Sequence, residues 1–551
     1  MDRARSSRTP AATDLAEPSD PRVVAVIAVL AAGVPYASSV GFGFALDDGF
    51  AVTGHRGVHG PLSATDLLLR DFWGRSFMDT IGSWRPTTTI TYWIDWHLGA
   101  GRPWVFHATN VALYAALLVL AERFMARFFG SALSPGARYL AVGAFGLLGI
   151  HADVVPSIAG RAEILAALFA LLAIRLPLSR KGPVPPAVAL AAATATLLAI
   201  GSKESAMPVA LLAPLLAYRW HARRGTAQGP GMLTLFAANA VALTGVVAFR
   251  CLRMPWMDLG PDRALENPLI GASTGARWVG AGSVLIHYLG HLVWPLHLAP
   301  DYSYAATDVA HQRGLGALGI TLAVGGVVLL ARTWRRPPGL ADAVLGFGAS
   351  YIAVSHVFLP AIAVLADRLF FFPSFWLVAL AALALEPAIR SVPTGARTGV
   401  AGLCGLAALQ GGLACNEAGH WRDDETLLTS AVAAEPNVAR SRRNLAQALA
   451  DAGHPEDAAW QLVVSMEIRS RYPAAIPPEE FRSLDLQPRE ARLGALLDHI
   501  GACDLHRRLE ETRAGFGRWG MAEAGAQAAA WLAWLQTRVP EGQPPTCGNA
   551  H

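Results

Sequence analysis

Apolar residues fall into long runs separated by short polar stretches, a spacing that predicts helices crossing a bilayer rather than a soluble core. The first run, from about Val23 to Phe44, matches the roughly 20 helical residues that cover a hydrocarbon core. Others lie near 104–122, 137–151, 162–177, 185–201, 206–219, 231–250, 280–298, 314–332, 341–362, 370–389 and 397–415. Basic residues gather at alternate ends of these runs: Arg3/Arg5/Arg8, Arg123/Arg127/Arg138, Arg175/Arg180/Lys181, Arg219/Arg223/Arg224, Arg332/Arg335/Arg336 and Arg390/Arg397. The positive-inside rule places these clusters in the cytoplasm, and with them the polar arm 1–21. An even number of crossings must then separate the fourth cluster from the fifth, yet three apolar runs lie between them. The run 280–298 is the one interrupted by His287, His291, Trp294, Pro295 and His297, so it is expected to be interfacial or re-entrant. The expected fold is an all-α polytopic bundle of about eleven spans over 22–415.

The pattern changes after Cys415. Residues 416–551 are polar with helical periodicity, long enough for a small separate domain. A weak repeat with a 34-residue offset relates Leu428 to Leu462 and Ala431 to Ser465. The stretch Asn444-Leu-Ala-Gln-Ala-Leu-Ala-Asp-Ala-Gly453, followed by Ala458, fits a tetratricopeptide helix pair within about 424–470, with Pro436 where such a repeat ends. Fewer repeats are present than stand alone, so the later helices must cap the array. By the charge pattern this domain faces the same compartment as the loop 44–103.

Composition agrees with a membrane protein: 53% of the 551 residues are hydrophobic and only 16% charged, with a mean hydropathy of +0.35. The net charge of +4 excludes little, and no nucleic-acid partner is expected. The first apolar run has no small-residue cleavage site, so it reads as an anchor rather than a removed signal. The five cysteines show no metal spacing; a Cys503–Cys547 disulfide in an exported domain is an open alternative.

Chemistry concentrates in polar stretches at the non-basic ends of the runs. Asp47 and Asp48 follow the first run in Gly41-Phe-Gly-Phe-Ala-Leu-Asp-Asp-Gly49. Adjacent carboxylates at a membrane exit are costly to desolvate and usually functional. The loop that follows, up to Pro103, is too long for a simple connector. It contains Asp71-Phe-Trp-Gly74 and Ser83-Trp-Arg-Pro-Thr-Thr-Thr89, which includes Arg85. Further along lie His151-Ala-Asp153 through Gly160-Arg161-Ala-Glu163, then Lys203-Glu204, then Asp367-Arg368. Each has an ordinary structural explanation. Asp48 can cap a helix, Glu163 can pair with Arg161, and Lys203 and Arg368 can snorkel to headgroups. Five such stretches on one face point beyond structure. His287 and His291 share a helix face but lack further ligands, and are read as interfacial or packing residues.

In this order the motifs resemble the transmembrane and TPR-repeat-containing protein O-mannosyltransferases, a branch of the GT-C glycosyltransferases. The resemblance runs from Asp47-Asp48 and Asp71-Phe-Trp-Gly through Trp84-Arg-Pro-Thr to Phe106-His-Ala-Thr-Asn110. It continues through His151…Gly160-Arg-Ala-Glu163, Lys203-Glu204, Asp367-Arg368, Pro373-Ser374 and the trailing repeat, covering most of residues 40–465. Asp153 and Asp367 stand where that family commonly has glutamate, Trp84 stands for a usual tyrosine, and the repeat array is shorter.

The resemblance implies transfer of a sugar, best matched by mannose, from a polyprenyl-phosphate carrier to a Ser/Thr hydroxyl, with inversion and no obligatory cofactor. The chemistry needs a base for the hydroxyl proton, for which Asp47 and Asp48 are candidates. It also needs cations for the phosphate leaving group, for which Arg161, Lys203, Arg368 and Arg85 are candidates. Asp71, His151, Asp153, Glu163, Glu204 and Asp367 would support them. The Asp-Asp pair could alternatively hold a divalent cation. Expected partners are membrane lipid, the lipid-linked sugar and an exported protein recruited by the repeat. In a bacterial cell this means an inner-membrane protein with a periplasmic loop and C-terminal domain. The alternatives are an envelope lipid or glycan as acceptor, and a non-catalytic scaffold; a transporter fits less well, because the polar residues gather at one face rather than the midplane.

Overall fold

A computed structural model describes residues 19–538 apart from 62, 78–79, 81, 180–181, 255–263, 297, 308, 310, 336–338, 391–396, 473–475, 477, 486, 488 and 519. The arm before Ser19, His297 and the Cys503–Cys547 pairing, which needs Cys547, lie outside the described residues. Within them the chain is all-α, with one isolated bridge between Arg70 and Ser76.

The bundle comprises α1 (Pro21–Tyr36), α2 (Pro86–Gly99), α3 (Pro103–Phe129), α4 (Pro135–Gly146), α5 (Arg161–Arg175), α6 (Pro186–Ser202) and α7 (Val209–Ala222). It continues with α8 (Pro230–Arg253), α9 (Thr274–Val293), α10 (Arg313–Thr333), α11 (Leu340–Ile352), α12 (Phe371–Arg390) and α13 (Arg397–Gly419). Many of these helices open on proline, whose fixed φ suits the first turn and whose missing N–H is no loss there. Asp20 and Ser134 add side-chain caps to α1 and α4.

Among the described residues, five helical stretches are long and apolar enough to cross a membrane: Pro21–Gly41, Pro103–Ala132, Pro230–Arg253, Arg313–Thr333 and Asp367–Arg390. Their outward faces are apolar. In Arg313–Thr333 only 11% of the span is buried, and Val324, Val327, Leu233 and Val241 stand exposed. Such a surface needs lipid around it, so this is a membrane protein. The interior is aromatic, with Tyr114, Phe124, Phe145, Phe371, Phe375 and Trp376 packed together.

One end of the bundle collects the arginine clusters. Arg138 pairs with buried Glu122 at 3.2 Å, and Arg219 and Arg223 pair with Asp342 at 2.6 and 3.2 Å. The other end collects the acidic loop. The segment leading into helix α9 and the last turn of that helix both meet residues of the acidic-loop end or of the C-terminal part. Just before it, Leu265 accepts from Tyr304 N–H and Glu266 pairs with Arg440; in its last turn His291 meets Asp367. Glycines let α9 press onto α10: a Cβ on Gly319 would lie 2.0 Å from Gly282 O.

The C-terminal part contains α14 (Asp424–Ala434), α15 (Ala439–Asp451), α16 (Pro455–Ser470), α17 (Pro478–Asp485), α18 (Arg489–Arg518) and α19 (Ala522–Arg538). Helices α15 and α16 form an antiparallel pair turned at Gly453, whose φ of +82° favours glycine. Leu445 and Leu462 are both buried, at 3% exposed, but in separate clusters. Leu445 packs with Leu428 and Val432 of α14, and Leu462 joins the cluster formed with α18 and α19, so the two do not share one core as the repeat predicts. Leu493, Leu496, Leu505, Phe516 and Trp531 from α18 and α19 cover the far side of α16, which is the capping a short repeat requires. Helix α13 runs through Cys415 to Gly419, so the structural break comes a few residues after the compositional one.

This part docks on the acidic loop. Gly43 N–H donates to Arg422 O at 3.0 Å, Leu46 N–H donates to Asp424, and Ala45, Trp421 and Leu427 share a small apolar cluster.

Candidate active site at the acidic-loop end

Asp47 and Asp48, adjacent in sequence, have different surroundings. Asp48 is buried, and its two oxygens are taken by backbone donors: Ala159 N–H at 2.8 Å on Oδ1 and Ala45 N–H at 3.1 Å on Oδ2. It ties the acidic loop to the turn before α5. Burial outweighs those two bonds and pushes its carboxyl up to about 7. The Asp47 side chain makes no such bond and is partly exposed, while its backbone carbonyl starts the next turn. Its charge acts on Arg368, Asp301, Arg440 and Asp424.

Arg368 comes from the turn before α12. Its Nη1 donates to Asp153 Oδ2 at 3.2 Å and to Pro300 O at 2.7 Å, while its backbone N–H donates to the same Asp153 oxygen at 3.1 Å. Nε and Nη2 make no hydrogen bond among the described residues, and the side chain is 26% exposed. Asp153, buried, keeps Oδ1 without a partner, and burial pushes its carboxyl up to about 7 despite Arg368. Asp367 faces away from Arg368, toward His291 Nδ1 at 2.8 Å and Tyr302 OH at 2.9 Å.

A second group adjoins the first. Lys203, at the end of α6, forms a buried ion pair with Glu163 from the first turn of α5. Burial is the main reason its ammonium titrates low, and Arg85 and Arg368 add repulsion. Glu204 gathers Arg85 at 3.1 Å, Arg250 at 3.8 Å and the Trp84 N–H at 2.6 Å. Arg368 is thus in electrostatic reach of both Lys203 and Asp47.

Three expected site residues lie outside it. Arg161 is fully buried and closed: Asp95 at 2.6 Å, Asn110, Thr91 and the Phe106 carbonyl occupy its three nitrogens, with the Tyr92 ring 4.9 Å away. His151 is caged by aromatic rings and bonded to Tyr114 OH at 2.8 Å and Ser374 Oγ at 3.2 Å. Asp71 accepts from Trp73 N–H, Arg75 N–H and Thr80 OH, organising its own loop.

Sequence reasoning missed Asp301 and Arg440. Asp301 is 6% exposed, neither of its oxygens has a hydrogen bond, and Arg440 Nε from α15 lies 3.5 Å away. Burial raises its carboxyl above the usual range. It sits in a strap whose three residues are each held by a different element: Pro300 by Arg368, Asp301 by Arg440, and Tyr302 by Asp367. No sequence motif marks Asp301. An Asp-Tyr pair beside an interrupted apolar run was the only signal. Among the described residues, no group of three or more His, Cys, Asp or Glu is arranged to hold a metal ion.

The fold defines a polytopic membrane protein with a mixed group of carboxylates and cations, the candidate site, at one end of its bundle, beside a C-terminal helical part. Its sequence relatives carry one shared description. It is 23% identical over 437 residues to protein O-mannosyl-transferase F38B6.6 of Caenorhabditis elegans, covering 77% of this chain and 60% of that protein. It is 31% identical over 152 residues to the human protein O-mannosyl-transferase TMTC4, covering 25% of this chain and 20% of that one. With mouse TMTC3 the figures are 29% over 163 residues, 29% of this chain and 17% of that one. The chain is thus similar to the protein O-mannosyl-transferases, the family its motifs resemble, and spans about three-fifths of the first relative and a fifth of the second. No family model and no solved structure matches it.

Proposed function

We propose that this chain is a membrane glycosyltransferase that moves mannose from a polyprenyl phosphate to a protein Ser/Thr hydroxyl, on the non-cytoplasmic face, with inversion. The observation that carries the reading is Arg368, which Asp153 and the Pro300 carbonyl hold by Nη1 while Nε and Nη2 stay unbonded, in electrostatic reach of both the Asp47 carboxylate and Lys203. The names of the relatives support the sugar and the acceptor; the arginine-rich opposite end supports the sidedness.

In this reading the acceptor hydroxyl loses its proton to Asp47 as its oxygen attacks the anomeric carbon. The bond from that carbon to the phosphate oxygen breaks, and the electron pair leaves with the phosphate. Arg368 and Lys203 stabilise the charge that develops there. The closed Arg161–Asp95 pair positions α2, α3 and α5 around the site instead of binding the donor. Asp48 sets the shape of the loop that presents Asp47.

Purified protein in lipid, given polyprenyl-phosphate mannose and a Ser/Thr peptide, should yield a mannosylated peptide of inverted anomeric configuration. Folded protein that transfers no sugar from any polyprenyl-phosphate donor, to peptide or to lipid, would overturn the proposal and favour the scaffold.

A further inference from the structure

The arginine-rich end of the bundle holds a cluster that the proposed reaction does not use. Arg123 and Arg127 lie one turn apart near the end of α3, Arg175 ends α5, and Arg224 follows α7. Trp220, 2% exposed, has two guanidinium groups over its ring, Arg224 at 3.8 Å and Arg127 at 5.0 Å. The turn after α5 is secured without Arg175. Leu178 O accepts from Arg127 Nε at 2.5 Å, and Pro177 O lies 3.1 Å from His221 Nε2.

The cluster is short of negative charge. Glu122, the carboxylate beside it, lies 3.9 Å from Arg123 but 3.2 Å from Arg138, and it also accepts from Ser19. Among the described residues Arg175 makes no hydrogen bond and no ion pair, and its Nε is buried without a partner. The charges that act on Arg175 are those of Arg127 and Arg123, which share its sign. The positive-inside rule accounts for arginines at this end. It does not account for arginines gathered side by side, with Arg127 and Arg175 half-buried. Like charges repel, and an unpaired buried donor is costly, so the arrangement calls for an anion.

We propose that this cluster binds the phosphate of an anionic phospholipid, between the ends of α3, α5 and α7. Arg175 and the Nη groups of Arg127, which make no hydrogen bond among the described residues, take the phosphate oxygens. Arg123, 49% exposed, faces the headgroup layer. Guanidinium forks match phosphate oxygens in geometry as well as in charge. A lipid phosphate fits better than a free one, because Arg127 lies in the last turns of the apolar span Pro103–Ala132, at headgroup depth. The site is independent of the proposed transfer, which takes place at the opposite end.

Full-length protein released from micelles of phosphatidylglycerol and phosphatidylcholine should retain phosphatidylglycerol preferentially in native mass spectrometry. Arg175→Gln gives up no hydrogen bond within the protein, so it should fold and weaken that retention about tenfold. Arg123→Gln should act in the same direction, whereas Arg332→Gln, at the end of α10 and outside the cluster, should leave retention unchanged. Should Arg175→Gln misfold, the lipid preference of the native chain and the Arg123→Gln comparison still decide the matter. Inorganic phosphate should not displace the lipid; displacement would mean a free-phosphate site and overturn the lipid assignment. Equal retention of the two lipids, or retention unchanged in both cluster variants, would reduce the arginines to a topological signal and sink the proposal.

Discussion

Asp47 and Asp48 divide two tasks between neighbouring carboxylates. Both Asp48 oxygens are bound to backbone N–H groups, whereas the Asp47 side chain is partly exposed and within electrostatic reach of Arg368. Asp47→Asn should therefore lower turnover by roughly 10²–10⁴ with donor binding nearly unchanged, measured as kcat against donor Kd. Asp48→Asn places an NH₂ or an oxygen where two N–H donors point, so it should instead loosen the loop at Ala159, read by hydrogen exchange. Equal loss of turnover from Asp48→Asn with an intact loop would reverse the assignment. The raised carboxyl of Asp48 also sets a sign. Its folded value of about 7 lies above the ordinary value of about 4, so the folded form takes up a proton between them. That contribution to stability is full below about pH 4 and declines toward pH 7, then stays flat. Asp153, also near 7, adds to the same slope. Thermal unfolding scanned from pH 4 to 8 should show this decline, and Asp48→Asn should flatten it. A profile rising with pH in that window would contradict the burial argument.

At the scale of elements, periodic features were legible and pairings were not. The apolar runs located the bundle helices. The 34-residue offset located the α15–α16 pair but not its packing, since Leu445 turns to Leu428 of α14 and Leu462 to the cluster of α18 and α19. By contrast, nothing in Arg161's own neighbourhood announces Asp95, which arrives from the loop helix α2 to close it. A buried charge is satisfied by whichever partner the tertiary fold delivers, and that partner has no fixed offset in sequence. The same holds for Asp342, which draws Arg219 and Arg223 from α7. Contact between α9 and α10 is readable only in space. Gly319→Ala would drive a Cβ to 2.0 Å from the Gly282 carbonyl, and overpacking of this kind costs about 1–3 kcal/mol. A reduced unfolding temperature with an unchanged helix content would agree; full stability would mean that α9 is free to slide. In the repeat, Leu445→Ala should cost on the order of 2–5 kcal/mol locally, seen as faster exchange across 439–470 while the bundle keeps its protection.

At the scale of the whole molecule, the bundle and the repeat domain meet at the site rather than beside it. Arg440, from the repeat, lies between Asp301 and Glu266 of the bundle, and the residues flanking Asp301 are held by Arg368 and Asp367. In the proposed reaction this contact gives the domain two possible tasks, recruiting the acceptor and positioning the strap next to Arg368. The two roles separate experimentally. If the domain only recruits, Arg440→Ala should spare transfer to a small free hydroxyl acceptor and impair transfer to protein alone. If it also positions the strap, transfer to both should fall, because a buried carboxylate loses its counter-charge. We expect the second outcome. The double variant Asp301→Asn/Arg440→Gln, which removes both charges together, should recover much of the lost docking, read as crosslinking between cysteines placed at Gly43 and Arg422. Unchanged crosslinking and unchanged transfer in Arg440→Ala would show that the Leu46–Asp424 and Gly43–Arg422 contacts hold the domain without help from the ion pair. The strap would then be ordered by the bundle alone.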